Sequence, residues 1–113
     1  MGLDPRGLTN DYRVAALAAS GVIKNSPGRL YKVWGFNNNL GVQYIQFFNA
    51  AAVPADATVP TLTPLRVPGQ QNFELDLGEL GTDFLTGITW SNSSTLTTKT
   101  IGAADVWVNA LYR

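Results

Sequence analysis

Short stretches of alternating apolar and polar residues, separated by turn-forming residues, constrain this chain more than any other feature. The clearest is Gln71–Leu77, in which apolar residues occupy every second position from Phe73 onward. A side-chain period of two is typical of a strand with one buried and one solvated face. About eight such stretches follow one another at a spacing of about 8–12 residues, which is typical of a sandwich or barrel. No β–α–β alternation favours a parallel sheet. The pattern predicts an all-β fold, an antiparallel β-sandwich that is jelly-roll-like or Ig-like.

Two aromatic-rich stretches in the first half of the chain predict a β-hairpin. Arg29–Phe36 and Val42–Phe48 flank a turn of asparagine and glycine, residues that tolerate positive φ. Alternation in the first stretch predicts two faces: one with Leu30, Lys32, Trp34 and Phe36, and the other with Tyr31 and Val33. The other strand candidates are Gly21–Asn25, Thr61–Val67, Gln71–Leu77, Phe84–Trp90, Thr95–Thr100 and Asp105–Tyr112.

The first twelve residues differ from the rest of the chain. Residues 1–12 are polar and rich in glycine and proline, which predicts an extended arm before a single domain over residues 13–113. Val14–Ala19 favours a helical turn or a strand, because alanine stabilises helices but six residues are too few for an independent helix. Val14–Ile23 is interpreted as mature sequence rather than a signal peptide, since acidic residues precede it and Ser20 and Gly21 interrupt it.

Composition argues against most catalytic chemistry. The chain contains no histidine and no cysteine, so it lacks the commonest general base and the usual ligands of zinc. Eight basic and eight acidic residues cancel without forming a basic stripe, which predicts no nucleic-acid partner. No apolar stretch reaches the ~18 residues of a membrane span. We therefore expect no enzyme activity, no cofactor, no metal and no membrane partner.

Low charge favours association with other proteins. Charged residues make up only 14% of the chain, whereas about 25% is usual for a soluble domain. Interface centres are depleted of charge, so a surface with few charges is suited to being covered by a neighbour.

Two clusters permit a sharper interpretation. Glu74, Asp76, Glu79 and Asp83 could form a carboxylate site for calcium or glycoside cleavage, but their alternation with apolar residues favours a solvated strand face and turn. The tryptophans and phenylalanines could form a platform for stacking sugars, but aromatic residues in strands more often form the core. Among them Trp90 is the strongest candidate for exposure, because a polar segment follows it. The aromatic residues considered are Trp34, Phe36, Phe47, Phe48, Phe73, Phe84, Trp90 and Trp107.

Residues 19–113 resemble a family of small structural proteins of tailed-phage virions. The segments that carry the resemblance, in chain order, are Ala19–Lys24, Leu30–Tyr31, Val42–Phe48, Val53–Ala57 with Pro60, Phe84–Ile88, Ser91–Thr95 and Leu111–Arg113. The resemblance implies a capsid cement or decoration protein, which sits as a homotrimer on the lattice of the major capsid protein. A protein associated with the tail, neck or fibre, or a carbohydrate-binding β-sandwich module, is the alternative.

If the resemblance holds, the protein is made in the host cytoplasm and is located on the capsid surface of the virion. The arm would then be an anchor that becomes ordered when it docks on the shell. Subunit contacts would use Trp90 and the asparagine turn. The candidate partner-binding residues are Leu3, Pro5, Leu8, Tyr12, Asn37, Asn38, Asn39 and Trp90.

Overall fold

The computed structural model describes residues 9–113, and these residues form β-strands joined by loops and turns, without a helix. None of them therefore forms a helix capable of crossing a membrane. The strands are β1 Asn10–Arg13, β2 Ser20–Lys24, β3 Gly28–Asn37, β4 Gln43–Asn49, β5 Leu65–Val67, β6 Gln71–Asp76, β7 Thr82–Phe84, β8 Ile88–Ser93 and β9 Val106–Tyr112.

The strands form two antiparallel sheets with the order of a jelly roll. Sheet I has the order β1-β9-β3-β6, with the short β7 also paired to β3, and sheet II has the order β2-β8-β4-β5. Strands β1, β2, β3 and β4 pair with β9, β8, β6 and β5 respectively, so the chain winds as a ribbon folded back on itself. An Ig sandwich would instead place its first, second, fourth and fifth strands in one sheet. The predicted β-sandwich is confirmed, and its strand order is jelly-roll-like rather than Ig-like.

The core lies between the two sheets and consists of aliphatic and aromatic side chains from both. Large side chains at its centre, including Phe47 and Trp90, have no accessible surface. Burial of a side chain of this size contributes about 1.5–3 kcal/mol to folding. Val106, Val108 and Ala110 alternate along the last strand and are buried, and Phe73 of β6 is buried as its predicted alternation requires.

The predicted hairpin of β3 and β4 is wrong. The two strands belong to different sheets, and the asparagine turn carries the chain across the sandwich instead of back along the same sheet. The register of β3 against β9 also shifts between Leu30 and Lys32. This bulge inserts one residue into the alternation, so that Leu30 and Val33 are both buried and the phase reverses beyond them. Trp34 and Phe36 consequently lie on the outer side of sheet I, whereas Leu30, which the sequence placed on the same face, is buried.

Part of the predicted arm belongs to the sandwich. Residues Asn10–Arg13 form β1, which pairs with β9 at the edge of sheet I. The backbone hydrogen bonds of this pairing fix Tyr12 opposite Ala110, on the core side of the sheet. The predicted boundary between the extended arm and the domain, at residue 13, is therefore too late, because β9 already supplies a partner for the backbone of residues 10–12. Residues 1–8, including Leu3, Pro5 and Leu8, lie outside the described residues.

Candidate functional site

Asparagine and glutamine side chains hold several surface loops in place, and the first is the buried Asn37. Its buried Nδ2 donates hydrogen bonds to the carbonyl oxygens of Gly41 at 3.2 Å, Val67 at 3.1 Å and Pro68 at 3.1 Å. Its Oδ1 accepts a hydrogen bond from the Asn39 backbone N–H at 2.9 Å. One amide thus joins the β3–β4 loop to the β5–β6 turn. The buried Asn37 amide therefore fixes the conformation of both the loop and the turn.

Gln46 of β4 holds a second loop on the outer side of sheet II. Its side chain is fully buried, and Nε2 donates to the carbonyl oxygens of Thr95 at 2.9 Å, Leu96 at 3.1 Å and Thr98 at 3.1 Å. The neighbouring Ser93 hydroxyl donates to the Thr95 carbonyl at 2.9 Å. The predicted strand over Thr95–Thr100 is absent from the described structure for this reason: the segment is a loop whose carbonyls face a glutamine rather than another strand.

An ion pair fastens the same loop to the long β4–β5 connection. Lys99 is only 5% exposed, and its Nζ donates to Asp56 Oδ1 at 2.8 Å. The Ile101 backbone N–H also donates to that oxygen at 3.2 Å. The hydrogen bond from Lys99, then that from Ile101, holds the pKa of Asp56 below its ordinary value of 3.8. Backbone hydrogen bonds at Ala57 and Thr58 reinforce the junction.

Asn49 performs the same task at the opposite end of the sandwich. Its Oδ1 accepts hydrogen bonds from the backbone N–H groups of Thr86 at 2.7 Å and Gly87 at 3.4 Å, which fixes the β7–β8 loop. In the preceding turn, Asp76 Oδ1 accepts from the Gly78 N–H at 2.9 Å. Both ends of the jelly roll therefore carry loops that side chains hold in one conformation.

Each of these held loops exposes a large aliphatic side chain to solvent. Leu40, Leu80 and Leu85 are between 77% and 90% exposed. Leu40 follows the end of β3, whereas Leu80 precedes β7, which pairs with the beginning of β3, so the leucines lie at opposite ends of the sandwich. Val59 and Leu96 border one groove with Pro60, Leu62 and Pro64. We call the whole set the apolar loop tips: Leu40, Val59, Leu80, Leu85, Leu96 and Ile101.

A second surface, the aromatic face, covers the outer side of sheet I. It comprises Trp34 and Phe36 of β3 and Trp107 of β9, and Phe36 lies directly opposite Trp107. Trp107 is 39% exposed, whereas Trp34 and Phe36 are partly buried. Lys32 Nζ lies 5.8 Å from the centroid of the Trp34 ring, within the range of a cation–π contact, and 3.1 Å from Glu74 Oε2.

The structure separates the residues that the sequence grouped as partner-binding. Trp90 is fully buried between the sheets, so the prediction that it forms a surface contact is wrong. Asn37 is also fully buried and acts as an internal clamp rather than a contact residue. Asn38 is exposed at the surface. Asn39 is partly exposed, but its side chain donates to Asp105 Oδ2 at 2.7 Å and accepts from the Gly41 N–H at 2.7 Å. Tyr12 is partly buried and faces the core.

The acidic cluster does not converge on one point. Glu74 pairs with Lys32, Asp76 caps the turn at Gly78, and Asp83 Oδ1 accepts from Arg29 Nε at 2.6 Å. That hydrogen bond from Arg29 to Asp83 raises the pKa of the guanidinium. Within residues 9–113, no three acidic side chains come together as a metal site.

Sequence reasoning missed the apolar loop tips, although a signal was present. Leu40 follows three asparagines and precedes glycine, and Leu80 lies between Glu79 and Gly81. A single large aliphatic residue within a turn has no strand alternation to bury it.

No family model, curated protein or solved structure matches the chain.

Proposed function

We propose that the chain is a structural protein of a phage virion, a capsid decoration protein that binds the lattice of the major capsid protein and stabilises the head. The observation that carries the proposal is the set of apolar loop tips, each exposed on a loop that a side-chain hydrogen bond, an ion pair or a short turn holds in place. The protein contributes binding surface and no catalytic chemistry. The phage assignment itself comes from the resemblance of residues 19–113.

A flexible loop must become ordered when it binds a partner, and this ordering costs free energy. Immobilising a flexible side chain at an interface costs about 0.5–1.5 kcal/mol, and ordering its loop costs more. In this protein the clamps of Asn37, Gln46 and Asn49 meet that cost during folding. Burial of one leucine against a partner then contributes about 1.5–3 kcal/mol to the binding free energy, without the cost of ordering its loop.

A repeated lattice multiplies the effect of such contacts. Tips at both ends of the sandwich allow one copy to contact more than one neighbour, and linked contacts raise the effective concentration of each site. A closed homotrimer would satisfy part of this surface and present the rest to the capsid. Binding of this kind stabilises the assembled shell by mass action. The jelly roll is compatible with the role, since it occurs in viral capsid and lectin domains, although a fold alone does not decide function.

The test begins with the location of the protein on particles. An antibody raised against the purified chain is applied to particles of the phage that encodes it, and gold labels are mapped by electron microscopy. We expect labels distributed over the head. Labels confined to the tail, neck or fibres would replace capsid decoration with the tail-associated alternative, and unlabelled particles would overturn the proposal of a virion protein.

A second experiment tests the loop tips. Heads from a phage lacking the gene are heated with and without added protein, and release of DNA is followed by dye fluorescence. The wild-type chain should raise the release temperature, whereas L40S/L80S/L85S should not. The matched control is V22T, which alters an exposed apolar residue on the edge strand β2. Equal protection by all three proteins would contradict a role for the tips.

The proposed anchor is tested separately. Because β1 begins at Asn10, deletion of residues 2–8 leaves every described strand intact. If Leu3, Pro5 and Leu8 anchor the protein, the shortened chain folds and self-associates normally, but it no longer protects heads. Undiminished protection would contradict the anchor while leaving the role of the loop tips in place.

A further inference from the structure

The chemistry of the aromatic face differs from that of the loop tips and indicates a different ligand. Its three rings come from adjacent strands β3 and β9 of one sheet and lie on the same outer side of it. Residues directly opposite on antiparallel strands have Cβ atoms about 4.5–5.5 Å apart, which places the Phe36 and Trp107 rings side by side. Trp34 lies two residues from Phe36 on the same face of β3.

Hydrogen-bonding side chains lie directly beside the rings. Asn72 of β6 lies opposite Phe36, and Glu74 lies opposite Trp34. On the other side of β3, Asn109 of β9 lies opposite Trp34. Trp34, Asn72 and Glu74 line one depression along the β3–β6 boundary. The face thus alternates π surfaces with side-chain amides and a carboxylate, groups that donate and accept hydrogen bonds.

We infer that the aromatic face binds an uncharged polysaccharide. A pyranose ring presents C–H groups that stack against the negative face of an aromatic ring, while its hydroxyl groups at the rim require donors and acceptors. The aromatic face offers both on one side of sheet I. This site is independent of the proposed capsid contacts, because the loop tips belong to the loops at the ends and over sheet II.

The charges of the face favour a neutral ligand. Lys32 is paired with Glu74, and the remaining charged residues beside the rings on β1 and β6 are Arg13, Asp11 and Asp76. The two basic side chains are therefore outnumbered by three acidic ones. An acidic glycan or a nucleic acid would meet no uncompensated positive charge here, so electrostatics would disfavour it.

Trp107 offers the sharpest test because it is the most exposed of the three rings and contributes little to the core. The wild-type chain, W107A and W107F are run in native gels containing a soluble neutral polysaccharide, with a panel of neutral β-glucans, mannans and galactans and of acidic polysaccharides as probes. We expect retardation by at least one neutral probe, weakened about tenfold in W107A, which corresponds to about 1.4 kcal/mol. W107F keeps a ring and should retain most of the binding. Far-ultraviolet circular dichroism verifies that both variants are folded.

Three results would overturn the inference. They are an absence of retardation by every neutral polysaccharide, retardation only by acidic polysaccharides, and equal retardation of wild type and W107A. Loss of head protection by W107A without any polysaccharide binding would identify the face as a protein interface instead. L40S/L80S/L85S should bind the polysaccharide as the wild type does, so a failure of the loop-tip proposal remains distinguishable from a failure of this one.

Discussion

The indole Nε1 of Trp90 donates a hydrogen bond to the phenolic oxygen of Tyr12 at 3.0 Å, and this bond joins the two sheets. Tyr12 belongs to the edge strand β1 of sheet I, whereas Trp90 lies in the centre of sheet II. Gly21 of β2 lies opposite Trp90 of β8 and leaves the space for this contact. A Cβ at Gly21 would collide with both the Tyr12 hydroxyl and the Trp90 indole nitrogen. The bond explains how a strand of four residues is fixed at the sheet edge.

Substitution Y12F should destabilise the fold. It removes the acceptor of the Trp90 N–H, and Trp90 has no exposed surface through which water could replace it. An unsatisfied buried donor costs about 1–3 kcal/mol. Urea unfolding followed by tryptophan fluorescence measures the change. Y44F is the matched control, because the Tyr44 side chain is also partly buried and its hydroxyl makes no hydrogen bond within residues 9–113. Equal stability of Y12F and Y44F would contradict a structural role for the bond.

Substitution Q46E should be more disruptive than its size suggests. Three carbonyl oxygens converge on the Gln46 amide nitrogen, and an ionised glutamate would present an acceptor to all three. We expect Q46E to lower the free energy of unfolding by about 1–3 kcal/mol at neutral pH. The loss should shrink as the pH falls, because a protonated carboxyl group can donate one hydrogen bond. Thermal unfolding of Q46E and the uncharged Q46L across a pH series distinguishes the two effects. A pH-independent difference between them would contradict the proposed clamp.

Substitution D56N should produce a pH-dependent loss of stability. The pKa of Asp56 is lowered in the folded protein, so its ionised form contributes stability above the unfolded pKa, and this contribution disappears as the pH falls through the folded value. Wild type should therefore be more stable than D56N near neutral pH, and the two should converge in strong acid. The Asp56 side chain is 53% exposed, so added salt should reduce the difference.

D83N serves as its control, since Asp83 makes an ion pair with Arg29 in which both side chains are substantially exposed. Surface pairs of this kind contribute little. Urea titrations at several pH values and low ionic strength provide the comparison. If the difference in stability between D56N and wild type is the same at every pH, the ion pair of ionised Asp56 with Lys99 does not stabilise the fold.

Local alternation predicted the strand faces well where no bulge intervened. Phe73 of β6 and Val106, Val108 and Ala110 of β9 are buried, as a period of two requires. The same reasoning failed in β3, because a single bulge between Leu30 and Lys32 reversed the phase of every later residue. Trp34 and Phe36 became outward-facing for that reason. Nothing in a strand's own sequence fixes a bulge that its partner strand imposes.

Strand partners and the burial of polar strands could not be predicted locally. β3 pairs with β6 and β9, which are distant in sequence, and the adjacent β4 crosses to the other sheet. All six residues of β8 are buried although four of them are polar. Its outer face is covered by the loop that Gln46 holds, and Trp90 is enclosed on the other side. Neither the loop's position nor its clamp is visible in the alternation of β8 itself.

Glycines 35 and 41 should respond to alanine in opposite directions. Gly35 lies beneath the aromatic face, where a Cβ would collide with the Trp107 carbonyl and approach the Phe73 ring to 2.7 Å. Overpacking of this kind costs about 1–3 kcal/mol, so G35A should unfold at lower urea and, by displacing Trp107, weaken polysaccharide binding. A Cβ at Gly41 would meet only Asn39 Oδ1 at 3.4 Å, and Gly41 does not have a positive φ. G41A should therefore be neutral or more stable by about 0.4–1 kcal/mol, because alanine restricts the unfolded chain. If G41A lowers the stability as much as G35A does, the collision of a Cβ at Gly35 with the Trp107 carbonyl is not the cause of the destabilisation in G35A.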